Sequence, residues 1–450
     1  MRWTFWIVWG WASIALAAEP LRIASFSVDV TPPLGSPLCD GLVIPAEKVD
    51  DPLFARGVVL LGAGPPIVLC AVDWVGIGND GHDAWREALA KAAGTDAVRV
   101  AVHTLHQHDA PGCDFAAEEL LASVGLAGKC FDVPFLREAI RRTAAAVEAS
   151  LSRAQTVTHV GVGRAPVERI ASNRRILGDD GKVKVVRFSS SRIPEAIAAP
   201  EGIIDPYCRC VSFWNGDRPL VSITYYATHP QSHYGKGAVS AEFVGLARAE
   251  RQAALPEALH VHFNGAGGNV AAGKYNDGAP ERRAELTARL AAGMKAAFEN
   301  TRKAAITAAD VEWRVVPVTL PLRDLHRDIA AREKMLRDET VAPRERGRAA
   351  RDLSYARRVL AGRTIDLTCL KLGDAYVLHL PGELFIEYQL LAQQLRPEHF
   401  VAVAAYGDYG PGYIGTAVAY EQGGYETSVV SRTAPEVEDV LRRALEHLLH

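Results

Sequence analysis

The feature that most limits how this chain can fold is a short apolar run, rich in Val, Ile and Ala, that recurs along its 450 residues. Such runs occupy 57–62, 66–77, 97–105, 219–228, 259–265, 375–380 and 400–407. Several are apolar throughout and do not alternate, as expected of strands covered on both faces. Between them, 81–94, 132–154 and 281–300 carry apolar residues at helical spacing. The pattern predicts an α/β fold of mixed β-sheets flanked by helices. No repeat, low-complexity tract or Ser/Gly linker divides the sequence. The stretch 323–362 differs in kind, being dense in Arg, Glu and Asp, and reads as a helical hairpin protruding into solvent.

The chain carries a net charge of −3 and no Lys/Arg stripe interleaved with aromatics, which argues against a nucleic-acid partner. Residues 1–18, with Arg2, an apolar run and small residues at Ala15 and Ala17, read as a Sec-type signal peptide cut after Ala17 or Ala18. The run is shorter than the roughly 20 residues of a spanning helix, and no later stretch is long enough. The mature chain, 19–450, is therefore expected to be exported, periplasmic or extracellular, without a transmembrane segment. Seven cysteines could partly pair there, Cys113 with Cys130 and Cys208 with Cys210 being the near pairs, with at least one left free.

Four candidate elements each lie just past the end of an expected strand, the edge where α/β proteins assemble sites. His106 and His108 follow the run 97–105 before a Pro-Gly turn, and period-2 alternation puts both on one face, with His103 on the other. His229 closes another run just before Pro230. Glu383 follows His379-Leu-Pro-Gly and reads as the first residue of a helix, where the macrodipole favours an acid. A Gly-rich loop carries Tyr409 and Tyr413, which could equally be packing residues. Two His and one Glu with an open position form a catalytic zinc set, whereas structural zinc prefers four closed ligands, often cysteine. Asp73 is a candidate for orienting a metal histidine or for a simple cap, and the loop 265–269 for backbone N–H donors.

These segments resemble the motifs of neutral/alkaline, non-lysosomal ceramidases. His106-Gln-His108-Asp-Ala-Pro-Gly is similar to that family's His-Thr-His-Ser-Gly-Pro-Gly, Ala227-Thr-His229-Pro to its second histidine motif, and Pro381-Gly-Glu383 to its Pro-Gly-Glu. Tyr413 and Tyr425 resemble its paired tyrosines, spacing included, and Asn173-Arg174 its Asn-Arg pair. The matches keep family order from about residue 22 to 430. The resemblance implies a catalytic domain over 19–450 in which His106, His229, Glu383 and Tyr413 hold Zn2+. It places His108, Arg174 and Tyr425 around the scissile carbonyl of a small-molecule or lipid-like N-acyl amide. Two departures stand out. The family's serine falls opposite Ala271, so no acyl-enzyme can form there, and the family's C-terminal immunoglobulin-like domain is expected to be missing. Hydrolysis by metal-activated water survives both losses. A metal-dependent esterase or other hydrolase, or a zinc-bearing protein without turnover, stays open.

Overall fold

Among the described residues, 20–450 of a computed structural model, the apolar runs become strands, and three large sheets follow one chain path. The expected signal peptide lies outside the described residues. In the first module β1 (Arg22–Asp29), β2 (Phe54–Gly62) and β3 (Gly64–Val72) form an antiparallel meander. Helix α1 (Asp80–Ala93) then crosses over, β4 (Val100–Thr104) returns parallel to β3, and α2 (Val133–Leu151) follows. The second module repeats this with β5 (His159–Pro166), β6 (Tyr207–Asn215), β7 (Arg218–Tyr226), α3 (Glu242–Ala254), β8 (Leu259–Asn264) and α4 (Glu281–Glu299). The third uses β9 (Val311–Val318), β10 (Ile365–Leu372), β11 (Ala375–His379), α5 (Ile386–Leu395), β12 (Phe400–Ala404) and α6 (Val437–Leu449). A repeat invisible in the sequence is thus plain in topology. Each sheet has a single parallel pair among these strands, between its third and fourth members.

Why the runs are apolar throughout is visible in β3. Ile67, Leu69 and Ala71 face a core shared with Val211 and Ile223 of the second sheet and Leu370 and Val377 of the third. Val68, Cys70 and Val72 face the other way, into a second core with Trp85, Leu89, Leu136 and Val147 beneath α1 and α2. The outer face of the third sheet is covered in the same manner by α5 and α6, where Leu378 and Val403 meet Leu441 and Leu445.

Between the first and second strands of each module runs an insertion, 30–53, 167–206 and 319–364. The last contains the expected helical hairpin, Ile329–Arg337 and Pro343–Leu360, but it does not protrude. Ala349, Ala350 and Leu353 are buried in the outer core of the first module. Arg351 pairs with Asp40, Arg358 with Asp83 at 2.6 Å, and Asp352 with Arg432 at 2.8 Å. Several of the charges that suggested a solvated face thus bind carboxylates and guanidinia of distant segments instead.

All seven cysteines are buried free thiols. Cys208 and Cys210 stand side by side on one face of β6, where parallel side-chain directions keep the sulfurs from meeting. No helix of the described residues is long and apolar enough to cross a membrane.

Candidate metal centre

The C-terminal ends of β4, β7 and β11, one from each module, point at a common place. β4 stops at Thr104, whose N–H donates to the Tyr406 carbonyl at 2.9 Å. His106 then adopts a left-handed backbone with φ 66°, its N–H bonded to Trp74 O at 2.9 Å, so the strand alternation expected through His108 ends early. His106 and His108 nevertheless lie together, their ring centroids 4.7 Å apart. His229 is fixed by its N–H on Val270 O at 2.8 Å.

Glu383 does not open a helix. It forms with Leu384 a two-residue strand paired in parallel with Tyr413–Ile414, and Glu383 stands opposite Tyr413 in register. Helix α5 begins only at Ile386, so pairing with the tyrosine segment, and not the helix dipole, sets the carboxylate. Gly268 makes this possible, because a Cβ there would lie 2.2 Å from the Glu383 carbonyl oxygen.

The three side chains converge, and the two rings have fixed tautomers. His106 Nδ1 donates to Val75 O and His229 Nδ1 to Gly267 O, each at 2.6 Å. A carbonyl can only accept, so in the neutral ring each Nε2 carries the lone pair. Both Nε2 atoms face Glu383 Oε2, at 3.2 Å from His106 and 3.1 Å from His229. The Tyr413 hydroxyl lies 3.1 Å from His229 Nε2. His106, His229 and Glu383 are all buried, their ligating atoms within 4.8 Å of one another. His106 Nε2 has no hydrogen-bond partner. Lone pairs aimed at a carboxylate in a dry site repel unless positive charge sits between them, so this donor set fits a divalent cation, and its composition fits zinc.

The electrostatics agree. Burial lowers the His229 imidazole below its ordinary value, and burial together with His106 and His229 holds His108 well below it. Neutral imidazoles around an ionised carboxylate are the state in which such groups ligate. Burial pushes the Tyr413 phenol well above 10, opposed by Arg174, whose Nη1 donates to the Tyr413 hydroxyl at 3.0 Å.

Beside the cluster lies a cavity of about 390 Å³ lined by His108, Arg174, His229, Tyr413 and Tyr425, with Phe188 and Tyr234 at its sides. His108 Nδ1 donates to the His106 carbonyl at 3.1 Å, which leaves its Nε2 unprotonated. The Arg174 guanidinium is buried; Glu426 lies 3.0 Å from its Nε, and its carbon stands 5.5 Å from the Tyr425 ring centroid. Tyr425 is 40% exposed and packs edge-on against Tyr413 with centroids 5.7 Å apart. The structure therefore brings together all seven residues singled out in the sequence.

Other expectations need correction. Asp73 orients no metal histidine; it grips Arg248 at 2.7 and 2.6 Å and accepts the Phe54 N–H, because it ends β3 on the side facing α3. In the loop 265–269 the N–H groups of Gly265, Ala266 and Gly268 are engaged by Tyr226 O, the Gln389 side chain and Leu384 O. Sequence reasoning named Tyr409 without a role, and its hydroxyl donates to Glu383 Oε1 at 2.9 Å; it missed Glu426, which holds both Arg174 and Arg175. It also missed Tyr406, stacked on His106 with centroids 4.7 Å apart. Tyr409 stood in the Gly-rich loop already noted and Glu426 directly follows Tyr425, whereas nothing marked Tyr406.

No family model matches the chain, and no curated protein matches its sequence. Among solved structures it is similar to a neutral ceramidase from Pseudomonas aeruginosa, with a TM-score of 0.70 and 14% identity over 96% of this chain and 74% of that one. A ceramidase complexed with C2 is similar to the same degree, with 75% of that chain covered. At such identity the likeness establishes a shared fold.

Proposed function

We propose that the protein is an exported zinc-dependent hydrolase that cleaves an N-acyl amide with water as nucleophile, without a serine intermediate. The observation that carries this reading is the convergence of two imidazole lone pairs on one oxygen of a buried carboxylate, beside a cavity floored by further polar groups. The shared fold with ceramidases supports the amide, N-acyl sphingoid or other, as the bond attacked.

Zinc, held by His106, His229, Glu383 and Tyr413, would supply carbonyl polarisation and a water whose pKa is lowered to about 7. His108, neutral and with Nε2 free, accepts the proton as water adds to the carbonyl carbon and returns it to the nitrogen as the C–N bond breaks. Arg174 and Tyr425 face the oxygen on which negative charge develops. Arg174 stays charged because Tyr413 and Glu426 outweigh the effect of burial. Ala271 is fully buried in a short pair with Ser172 and presents no nucleophile.

Metal analysis of the purified protein, followed by a panel of N-acyl amides and esters with and without chelator, tests the reading. About one zinc per chain and chelator-sensitive amide turnover are expected. Metal-free protein of full activity, or esters cleaved with amides untouched, would refute it.

A further inference from the structure

The cavity beside the metal centre has walls that suit neither a lipid tail nor an ion. Among its described lining residues there is no Ala, Val, Leu, Ile, Met or Pro, although ligand pockets are lined for the most part by apolar side chains. Ser189, Ser190, Gln231, Ser232 and Lys236 stand there instead, and the apolar surface is aromatic, from Phe188, Tyr234 and Tyr425. Two segments far apart in sequence supply the polar groups, 188–190 in the second insertion and 231–236 after β7. Asn276 fastens them together, its Nδ2 donating to Ser189 O at 2.8 Å and to Ser232 O at 2.7 Å. The Ser232 hydroxyl is taken by Glu242 at 2.8 Å. Gln231 is different. It is 4% exposed, its Oε1 accepts from the Ser189 hydroxyl, and its Nε2 has no protein partner among the described residues. A buried amide fixed at one end and open at the other, in a cavity wall, is a hydrogen-bond site for a ligand. Exposed rings flank this wall. Tyr234 packs edge-on against His108 with centroids 5.0 Å apart, and Phe188 against Tyr425 at 5.5 Å. Of the two cations that line the cavity, Arg174 is paired with Glu426 at 3.0 Å and Lys236 is exposed, so neither sets a buried, unpaired charge against the ligand.

We infer that the substrate is a neutral, hydroxylated N-acyl compound with a short acyl group, by class an N-acylated amino sugar, its hydroxyls on Gln231 and Ser190 and its C–H faces against Tyr234 and Phe188. The inference rests on the hydrolase reading and narrows the substrate of that site. Water then splits the amide into a short carboxylic acid and the free amino sugar. The volume of about 390 Å³ stands near the lower end of ligand pockets, about 300–1,000 Å³, which suits one such ring. A methylene buried on an apolar wall gains about fourfold in affinity, and a long acyl chain finds no such wall here. A hydrogen bond between neutral groups is worth about two- to twelvefold.

The test uses the zinc-loaded protein with N-acetylglucosamine, N-octanoylglucosamine and N-cyclohexylacetamide, the last keeping a six-membered ring and the acetamide without hydroxyls. Binding is read by calorimetry and turnover by release of glucosamine or cyclohexylamine. N-acetylglucosamine should bind about tenfold more tightly than N-cyclohexylacetamide, and the octanoyl chain should add no more than about twofold. Gln231→Met, which keeps the length of the side chain, should cut the preference by about two- to twelvefold with the zinc content unchanged. Ser190→Ala, at an exposed position where folding is not at stake, should cut it independently. Preferential binding of N-acetylglucosamine that both variants weaken, without turnover of any probe, would uphold this inference and refute the hydrolase reading. Equal binding of the sugar and the cyclohexyl amide, no binding of the sugar, or a preference indifferent to both variants would overturn the inference while leaving the hydrolase reading intact. An affinity that climbs about fourfold with each added methylene would also overturn it, marking the cavity as the seat of a lipid chain.

Discussion

Replacing Tyr409 by Phe should weaken metal binding without emptying the site of its ligands. The Tyr409 hydroxyl donates to Glu383 Oε1 at 2.9 Å, and this bond keeps Oε2 turned toward the two imidazoles at 3.1 and 3.2 Å. Phe keeps the ring, which packs beside His106 with centroids 5.6 Å apart, so the change removes one oxygen and little else. A hydrogen bond to a charged group contributes about 1.5–3 kcal/mol. Since about 1.4 kcal/mol corresponds to a factor of ten, the zinc dissociation constant should rise roughly ten- to a hundredfold, the range expected for partners that orient ligands. Competition with a chromophoric chelator at fixed pH measures this directly, and a thermal melt of the apo protein reports any separate loss of fold. A dissociation constant within twofold of the parent, with the melt unchanged, would show that Oε1 needs no anchor and that the carboxylate is held by other means.

Substituting His106→Ala, His229→Ala or Glu383→Gln should release the metal, whereas His108→Ala and Tyr425→Phe should retain it and lower turnover about 10²- to 10⁴-fold; metal analysis beside rate measurement separates the classes. Full occupancy in both histidine ligand variants would refute the site. Gly268→Ala should destabilise the fold by about 1–3 kcal/mol and loosen the metal, because the new methyl meets the Glu383 carbonyl at 2.2 Å; an unchanged urea midpoint would contradict this. Asp352 is raised by burial but pulled down to about 2 by Arg432, His326 and Arg332. Its folded pKa lies below its unfolded value, so its contribution, about 2 kcal/mol, is full above pH 4 and lost as pH falls through 2. The stability gap between wild type and Asp352→Asn should therefore close between pH 5 and 2, and a pH-independent gap in urea titrations would refute the assignment.

How far the sequence can be read is clearest by contrast between residues. The strands and main helices were legible because buried runs such as that of β3 must be apolar on both faces, a constraint written in consecutive residues. His106, His229 and Glu383 were legible because each follows such a run, and the motif resemblance named the rest. The threefold module repeat was not, since topology constrains hydrophobic pattern and not identity. The docking of 323–362 was also hidden, because an arginine bound for Asp40 looks the same in sequence as one bound for water. Tyr409 was quoted but unassigned, for its role depends on where a segment 26 residues away turns its carboxylate.

The spread of the ligands over all three modules has a consequence for assembly. His229 and Glu383 are separated by 154 residues of chain, so an ion bound between them joins units that sequence keeps far apart. It acts on the folded chain alone, and at a free concentration a hundred times its dissociation constant such an ion adds about 2.7 kcal/mol to stability. The pocket for it cannot close until the third module has been synthesised and docked. Metal uptake would therefore report that folding is complete, and a chain arrested after two modules would carry both histidines without retaining the ion.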